Sequence, residues 1–138
     1  MKRLMAASAL VAMQTACSTS VRVDRYLPAM EPAGIRGELT TTFDRAPLRA
    51  ELLAIDDSSY VVLVRDRVTV APFRLLKEAE FDPIGTTTRD GRAPSTDHRT
   101  QLKFASRFPY GIPAEAMSRL LEKSAQQRPD VLSAPSPQ

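Results

Sequence analysis

The stretch from Arg49 to Phe81, RAELLAIDDSSYVVLVRDRVTVAPFRLLKEAEF, decides the predicted fold. Its apolar residues come in short runs with a period of two, and the charged turns Asp56-Asp57-Ser58 and Arg65-Asp66-Arg67 separate them. Because successive side chains of a strand point to opposite faces, this alternation predicts β-strands. The β-branched and aromatic run SYVVLV is typical of a strand. Short strands with short turns indicate an antiparallel meander.

The same alternation continues on both sides of this stretch. Leu39, Thr41 and Phe43 share one side of an earlier strand, and Leu102 and Phe104 share one side of the run QLKFAS. The sequence therefore predicts five antiparallel strands within residues 35–106. The positions expected to be buried are Leu52, Ile55, Val62, Leu63, Val70, Phe73, Phe81 and Phe104.

A single helix is predicted after the strands, over residues 113–127. Pro113 suits a first helical turn, where its missing amide hydrogen would be unpaired in any case. Met117, Leu120 and Leu121 follow with the three and four spacing of one helix face. The final segment 128–138, RPDVLSAPSPQ, holds three prolines in eleven residues, so a disordered tail is expected.

The 49–81 stretch resembles small five-stranded barrels of the Sm-like and SH3-like type. In these barrels a strand of the form G-x-L-L-x-V is followed by an acidic turn, an apolar strand, a V-x-V-P strand and an A-x-F strand. With SRFPYGI and the closing helix, residues 35–127 resemble a group of small bacterial lipoproteins of unknown function.

The resemblance implies an α+β fold: a five-stranded antiparallel Sm-like/SH3-like barrel with one C-terminal helix, preceded by an N-terminal signal helix. It carries over no RNA-binding residues from Sm proteins. The matching turns here hold Asp56, Asp57 and Asp66, which would repel phosphate.

The first residues, MKRLMAASALVAMQTACSTS, are typical of an export signal. Lys2 and Arg3 precede a ten-residue apolar stretch, which is the charge order of a secretory signal. The stretch is too short to span a membrane, because a spanning helix needs about 20 apolar residues. We therefore expect a signal peptide over residues 1–16.

The end of this leader, Gln14-Thr15-Ala16-Cys17, resembles the lipobox of bacterial lipoproteins. That resemblance implies that Cys17 is acylated and begins the mature chain, with residues 17–34 as a lipid-anchored flexible tether. Gln14 departs from the pattern, which usually has an aliphatic residue there. The alternative is ordinary signal peptidase cleavage after Ser18, which would give a soluble periplasmic protein.

Cysteine usage favours lipidation over simple secretion. Cys17 is the only cysteine, so no internal disulfide can form, and a lone thiol in an oxidising compartment is a liability that acylation removes. By resemblance to lipoproteins of double-membrane bacteria, Ser18 at the next position implies sorting to the periplasmic face of the outer membrane. Membrane lipid is then the first expected partner.

The charge balance gives no support for a nucleic-acid partner. Removing Lys2 and Arg3 from the 19 basic residues leaves 17, against 16 acidic residues. A nucleic-acid-binding domain normally shows a basic patch or stripe. Here arginines alternate with aspartates and glutamates along the chain, so no nucleic acid is expected to bind.

The polar segment over residues 82–100 is expected to be a loop, and two interpretations of it remain open. Loops of this length are either functional or disordered. His98 lies there with Ser95 and Asp97 close in sequence, but neighbouring loop residues rarely form a triad. We therefore predict no catalytic residues and no cofactor. No metal site is expected either, because one histidine and one acylated cysteine cannot supply its ligands.

The densest aromatic cluster surrounds the segment SRFPYG. If exposed, Arg107, Phe108 and Tyr110 would form a contact for a partner. The alternative is structural: Phe104 and Phe108 would dock the terminal helix on the barrel.

These features together favour a membrane-anchored envelope lipoprotein that is not an enzyme and binds an envelope protein or a cell-wall component. The first alternative is a periplasmic enzyme or enzyme accessory with its site in residues 82–100. An Sm-like nucleic-acid module is disfavoured, because the export signal argues against it.

Overall fold

A computed structural model describes residues 33–137. The chain forms, in order, β1 (Arg36–Thr41), β2 (Leu48–Ile55), β3 (Ser59–Val64), β4 (Arg67–Pro72), β5 (Leu76–Phe81), β6 (Gly85–Arg89), α1 (Thr96–Ala105), α2 (Ala114–Lys123) and β7 (Asp130–Val131). A 3₁₀ turn, Phe73–Leu75, joins β4 to β5. The predicted signal peptide, Cys17 and nearly all of the predicted tether lie outside the described residues.

The strands form one mixed sheet of seven in the order β6-β5-β1-β2-β3-β4-β7. Neighbouring strands are antiparallel except β7, which runs parallel to β4. β6 and β7 are its two edges and do not pair with each other, so the sheet is open. The predicted five-stranded barrel with one C-terminal helix is therefore wrong, since the described chain has seven strands and two helices.

One reason for the difference is that QLKFAS is not a strand: its first five residues belong to helix α1, and Ser106 is the C-cap of that helix. The Ser95 hydroxyl accepts a hydrogen bond from the His98 amide at 3.2 Å and so caps the helix. Asp97 in the first turn and Lys103 in the last suit the helix dipole. Residues two apart point in nearly opposite directions on a helix, so Leu102 is buried while Phe104 is 41% exposed.

The second reason concerns residues 82–100. The prediction of a loop there is wrong, because the segment contains β6 and the first half of α1. β6 pairs with β5 through a bulge opposite Ala79 and Glu80. The bulge turns the adjacent hydroxyls of Thr87 and Thr88 toward the core, where each lies 2.7 Å from the Tyr60 hydroxyl. Since Tyr60 belongs to β3, this contact shows that the open sheet is strongly curved.

A second bulge, in β2, supplies apolar side chains to both faces of the sheet. Leu52 and Ile55 belong to the first core cluster, and Leu53 and Ala54 between them belong to the second. Leu102 of α1 completes the first cluster. The second cluster is covered by Phe108, Ile112 and three residues of α2, Met117, Leu120 and Leu121.

The predicted core is confirmed in part. Leu52, Ile55, Val62, Phe73 and Phe81 are buried. Leu63 and Val70, by contrast, are only half-buried, and Phe104 is exposed.

The helix predicted over residues 113–127 is present as the shorter α2, and none of its residues is fully buried. It packs with Phe108 as expected, but Phe104 is not part of that cluster.

The segment 128–138, for which a disordered tail is predicted, contains β7. Asp130 lies opposite Thr69 of β4, and Val131 lies opposite Val70. The Leu132 amide donates to the Val70 carbonyl at 3.0 Å. The C-terminal segment thus lies along the β4 edge of the sheet.

Candidate functional site

A groove of about 520 Å³ lies over β1, β2 and the end of β3. Charged side chains of both signs dominate its walls: Arg36, Glu38, Arg49, Glu51, Arg65, Asp66 and Asp82. Three arginines thus face four carboxylates in one shallow depression. A polar partner with charges of both signs fits such a surface better than a phosphate backbone does, because the carboxylates repel phosphate.

The pairing of β1 with β2 places these charges opposite one another. Arg36 is the cross-strand partner of Glu51, and Glu38 is the partner of Arg49. Arg49 and Glu38 form an exposed ion pair with a separation of 3.5 Å between nitrogen and oxygen. Opposite charges directly across a strand pair contribute modestly to stability. The charged face therefore supports the pairing of the two strands that carry it.

Glu51 forms its ion pair with a different cation, Arg107. The Arg107 guanidinium donates two hydrogen bonds to the Glu51 carboxylate, at 2.7 and 2.6 Å. The Gly34 amide donates to the same carboxylate at 2.7 Å. A Cβ at Gly34 would lie 1.9 Å from the Leu52 carbonyl oxygen, so only glycine fits this approach.

The turn between β3 and β4 forms another wall of the groove. Arg65 and Asp66 have φ values of 49° and 63°, so both lie in the left-handed region as in a type I′ hairpin turn. Asp66 is one of the residue types common in such turns, whereas Arg65 is not. The Ser124 hydroxyl, at the end of α2, donates to the Asp66 carbonyl and fixes the turn.

The three residues predicted as a partner surface have different environments. The side chain of Arg107 is 21% exposed and is held by Glu51 at the border of the groove. Phe108 packs into the second core cluster beneath α2. Only Tyr110 is presented fully to solvent, at 98% exposure. The structure thus does not place all three on one exposed patch.

The polar residues singled out in the sequence outside the groove have structural contacts. Arg99 of α1 donates to the carbonyls of Asp56 and Asp57, at 2.8 and 3.3 Å, and ties that turn to the helix. Ser95 caps α1 through the His98 amide. Within residues 33–137, no group of three or more histidine, cysteine, aspartate or glutamate side chains is placed to hold a metal ion.

Among the described core residues, Tyr60 has a pKa that is clearly shifted from its ordinary value. Burial raises the pKa of its phenol above the ordinary 10.0, and the hydrogen bonds to Thr87 and Thr88 oppose the shift. The phenol is therefore neutral at physiological pH. It donates or accepts hydrogen bonds within the core and does not face the groove.

The sequence interpretation missed the groove, although one signal for it was present. Arg36 and Glu38 alternate along one strand, as Arg49 and Glu51 do along the next. Two charged residues two apart share a face of a strand. Once the strands are paired, this pattern predicts a charged face on β1 and β2.

No helix within residues 33–137 is long and apolar enough to cross a membrane. Comparison with known proteins finds no matching family model, no matching curated protein and no matching solved structure.

Proposed function

We propose that this protein is a membrane-anchored envelope lipoprotein and that its domain is a noncatalytic binding module. The anchor is supported by the order of charged, apolar and small residues that ends at Cys17. Two or more acyl chains give a stable anchor, since each buried methylene contributes about 0.8 kcal/mol.

The charged groove is the observation that carries the binding role. Within the described part of the chain, Arg36, Arg65, Asp66 and Asp82 line the groove and form no ion pair with another residue. Both signs of charge are therefore available to a partner. We infer that the partner is an envelope protein with a polar segment that carries both basic and acidic side chains.

The position of the groove suits a module on a tether. The chain enters the domain at Gly34, whose amide contacts Glu51 in the groove wall. As a flexible chain, the proposed tether of residues 17–34 would span roughly 20 Å on average, and about 60 Å when fully extended. Partners at the membrane surface are then within reach of the groove.

The anchor is tested by metabolic labelling with a fatty acid that carries an alkyne. The full chain should incorporate the label and fractionate with membranes, and Cys17→Ala should lose both properties. Ser18→Ala is the matched control and should retain them. A mature protein that begins at Thr19, seen by mass spectrometry, would refute lipidation and support ordinary signal peptidase cleavage.

The groove is tested by photo-crosslinking in cells. A photoreactive residue at Arg49, inside the groove, should give a discrete protein adduct, and the same residue at the exposed Arg92 should not. Arg36→Glu should weaken the Arg49 adduct, because it reverses one of the available charges. Equal adducts from both positions would contradict a groove partner. An adduct to glycan in place of protein would assign the groove to the cell wall.

A further inference from the structure

Tyr110 lies at the tip of a turn that the core holds in place. The Gly111 amide donates to the Phe108 carbonyl at 3.1 Å and closes the turn, and Pro109 suits its second position. The Phe108 amide donates to the Leu53 carbonyl at 2.9 Å, and the Phe108 ring packs into the second core cluster. The Tyr110 ring, by contrast, is 98% exposed and takes no part in the packing of the domain.

This turn lies beside the point where the chain enters the domain. A Cβ at Gly34 would lie 2.8 Å from the Arg107 amide nitrogen, so the two backbones are in contact there. Tyr110 is three residues past Arg107, and three residues of chain span at most about 11 Å. The exposed ring is therefore close to the entry point.

A second exposed aromatic ring, that of Phe104, lies near the same entry point. The Ile35 amide donates to the Ala105 carbonyl at 3.0 Å, and Phe104, the residue before Ala105, is 41% exposed. Exposed apolar side chains that are grouped mark a contact surface better than scattered single ones do. Two of the four exposed large apolar residues within the described chain lie at the entry point, the four being Phe43, Phe104, Tyr110 and Val131.

The surface around Tyr110 carries no charge. Residues 108–114, FPYGIPA, contain neither a basic nor an acidic side chain. Contact with a lipid headgroup region therefore removes no charged group of this segment from water, which would be costly. Tyrosine is enriched at membrane interfaces, because its ring is apolar while its hydroxyl can remain in water.

We propose that the turn formed by Phe108–Gly111 contacts the membrane that holds the acylated Cys17, with the Tyr110 ring in the headgroup region. This inference rests on the lipid anchor proposed above. A single ring binds a membrane weakly, but the tether makes the contact intramolecular and so raises the effective concentration of the bilayer. Since the tether ends at Gly34, beside the turn, the bilayer is presented to this side of the domain.

The test uses tryptophan as a fluorescent probe, because the chain contains none of its own. The full chain with Tyr110→Trp, purified with its lipid, is placed in vesicles of phosphatidylcholine and phosphatidylglycerol, with or without bromine on the acyl chains. Phe43→Trp is the matched control. Phe43 is also exposed, at 37%, but it follows the opposite end of β1, about 20 Å along the strand from Arg36. Flotation with the vesicles reports the anchor separately.

In vesicles, the emission of the Tyr110→Trp chain should shift to shorter wavelength, and brominated lipid should remove most of its intensity. The Phe43→Trp chain should show neither change. Equal quenching of both chains, or quenching of neither, would overturn the inference and leave the anchor intact if the chains float with the vesicles. Chains that do not float would overturn the anchor and the inference together. A shift to shorter wavelength without quenching would overturn the inference and assign the turn to a protein contact.

Discussion

Replacement of Tyr60 by phenylalanine should destabilise the domain although it leaves the packing of the ring intact. The ring lies edge-on to Phe73 and Phe81, with centroid distances of 4.8 and 5.2 Å, and phenylalanine preserves both contacts. What is lost is the hydroxyl, which lies 2.7 Å from each of the hydroxyls of Thr87 and Thr88. All three residues are buried, so water does not readily replace the lost partner.

The structure sets the size of the effect. Each hydrogen bond contributes about 1 kcal/mol net, and a buried hydroxyl left without a partner costs about 1–3 kcal/mol. The Thr87 hydroxyl keeps a longer hydrogen bond to the Ala79 carbonyl at 3.3 Å, whereas the Thr88 hydroxyl makes no second hydrogen bond within the described residues. We therefore expect Tyr60→Phe to lower the free energy of unfolding by about 2–3 kcal/mol. For a domain of about 100 residues, the Tm should fall by roughly 10 °C.

The assay is urea unfolding of the wild-type chain, Tyr60→Phe, Thr88→Val and the double variant. In the double variant both partners are apolar and no hydroxyl is left unpaired, so the combined cost should be smaller than the sum of the single costs. A coupling free energy above about 0.5 kcal/mol is expected for residues in contact. If Tyr60→Phe costs less than about 0.5 kcal/mol, or if the two costs add, the hydroxyl cluster does not stabilise the fold as argued.

Three further predictions follow from the same structure. Because burial raises the pKa of Tyr60, the unfolded chain loses this proton first, so the stabilisation is complete below the ordinary pKa of 10.0 and is lost as pH rises above it. Stability measured from about pH 9 to 11 should fall more steeply for wild type than for Tyr60→Phe, and parallel curves would contradict this. Leu102→Ala, at a fully buried site in α1, should cost about 2–5 kcal/mol, whereas Leu120→Ala in the half-buried α2 should cost about 1 kcal/mol in thermal unfolding. Equal costs would show that both helices are packed alike. Arg107→Met should cost about 2 kcal/mol by leaving a largely buried carboxylate unpaired, and Arg49→Met, at 90% exposure, should cost almost nothing in the same urea titration. A neutral Arg107→Met would contradict the role given to the ion pair.

The strands between Leu48 and Phe81 could be predicted because their alternation is strong and their turns are charged. The bulge in β2 could not, since Leu52, Leu53, Ala54 and Ile55 form a continuous apolar run from which the shift of one residue is not readable. The open sheet depends on such details, because bulges change the direction and twist of strands.

The segment QLKFAS shows that an alternation of apolar and polar residues over only six positions can wrongly predict a strand. Leu102 and Phe104 are separated by the polar Lys103. The helix that contains them, however, begins earlier: Ser95 is its N-cap and Asp97 lies in its first turn. These two residues are a helix start signal that a longer window would have included. The capping residue Ser95 and the acidic Asp97 predict the observed helix, whereas the alternation predicts a strand.

The groove could be predicted only to the level of two charged strand faces. Its remaining parts come from residues far apart in sequence, such as Glu51 and Arg107, which are 56 positions apart. The turn at Arg65 and Asp66 reaches the groove through the pairing of three strands. Spacing in one sequence does not contain that information.

The hydrogen bond from the Gly34 amide to the Glu51 carboxylate lies where a mechanical load from the N-terminal side would enter the domain. A pull applied from the N-terminal side enters at Gly34, held by Glu51, and passes directly into β1. β1 is an interior strand with antiparallel neighbours on both sides, β2 and β5. For a pull along the axis of β1, the hydrogen bonds to β2 and β5 are loaded in shear together, whereas an edge strand has hydrogen bonds on one side alone. A pull of this kind on the N-terminal side of the domain is therefore opposed by two strand pairings at once.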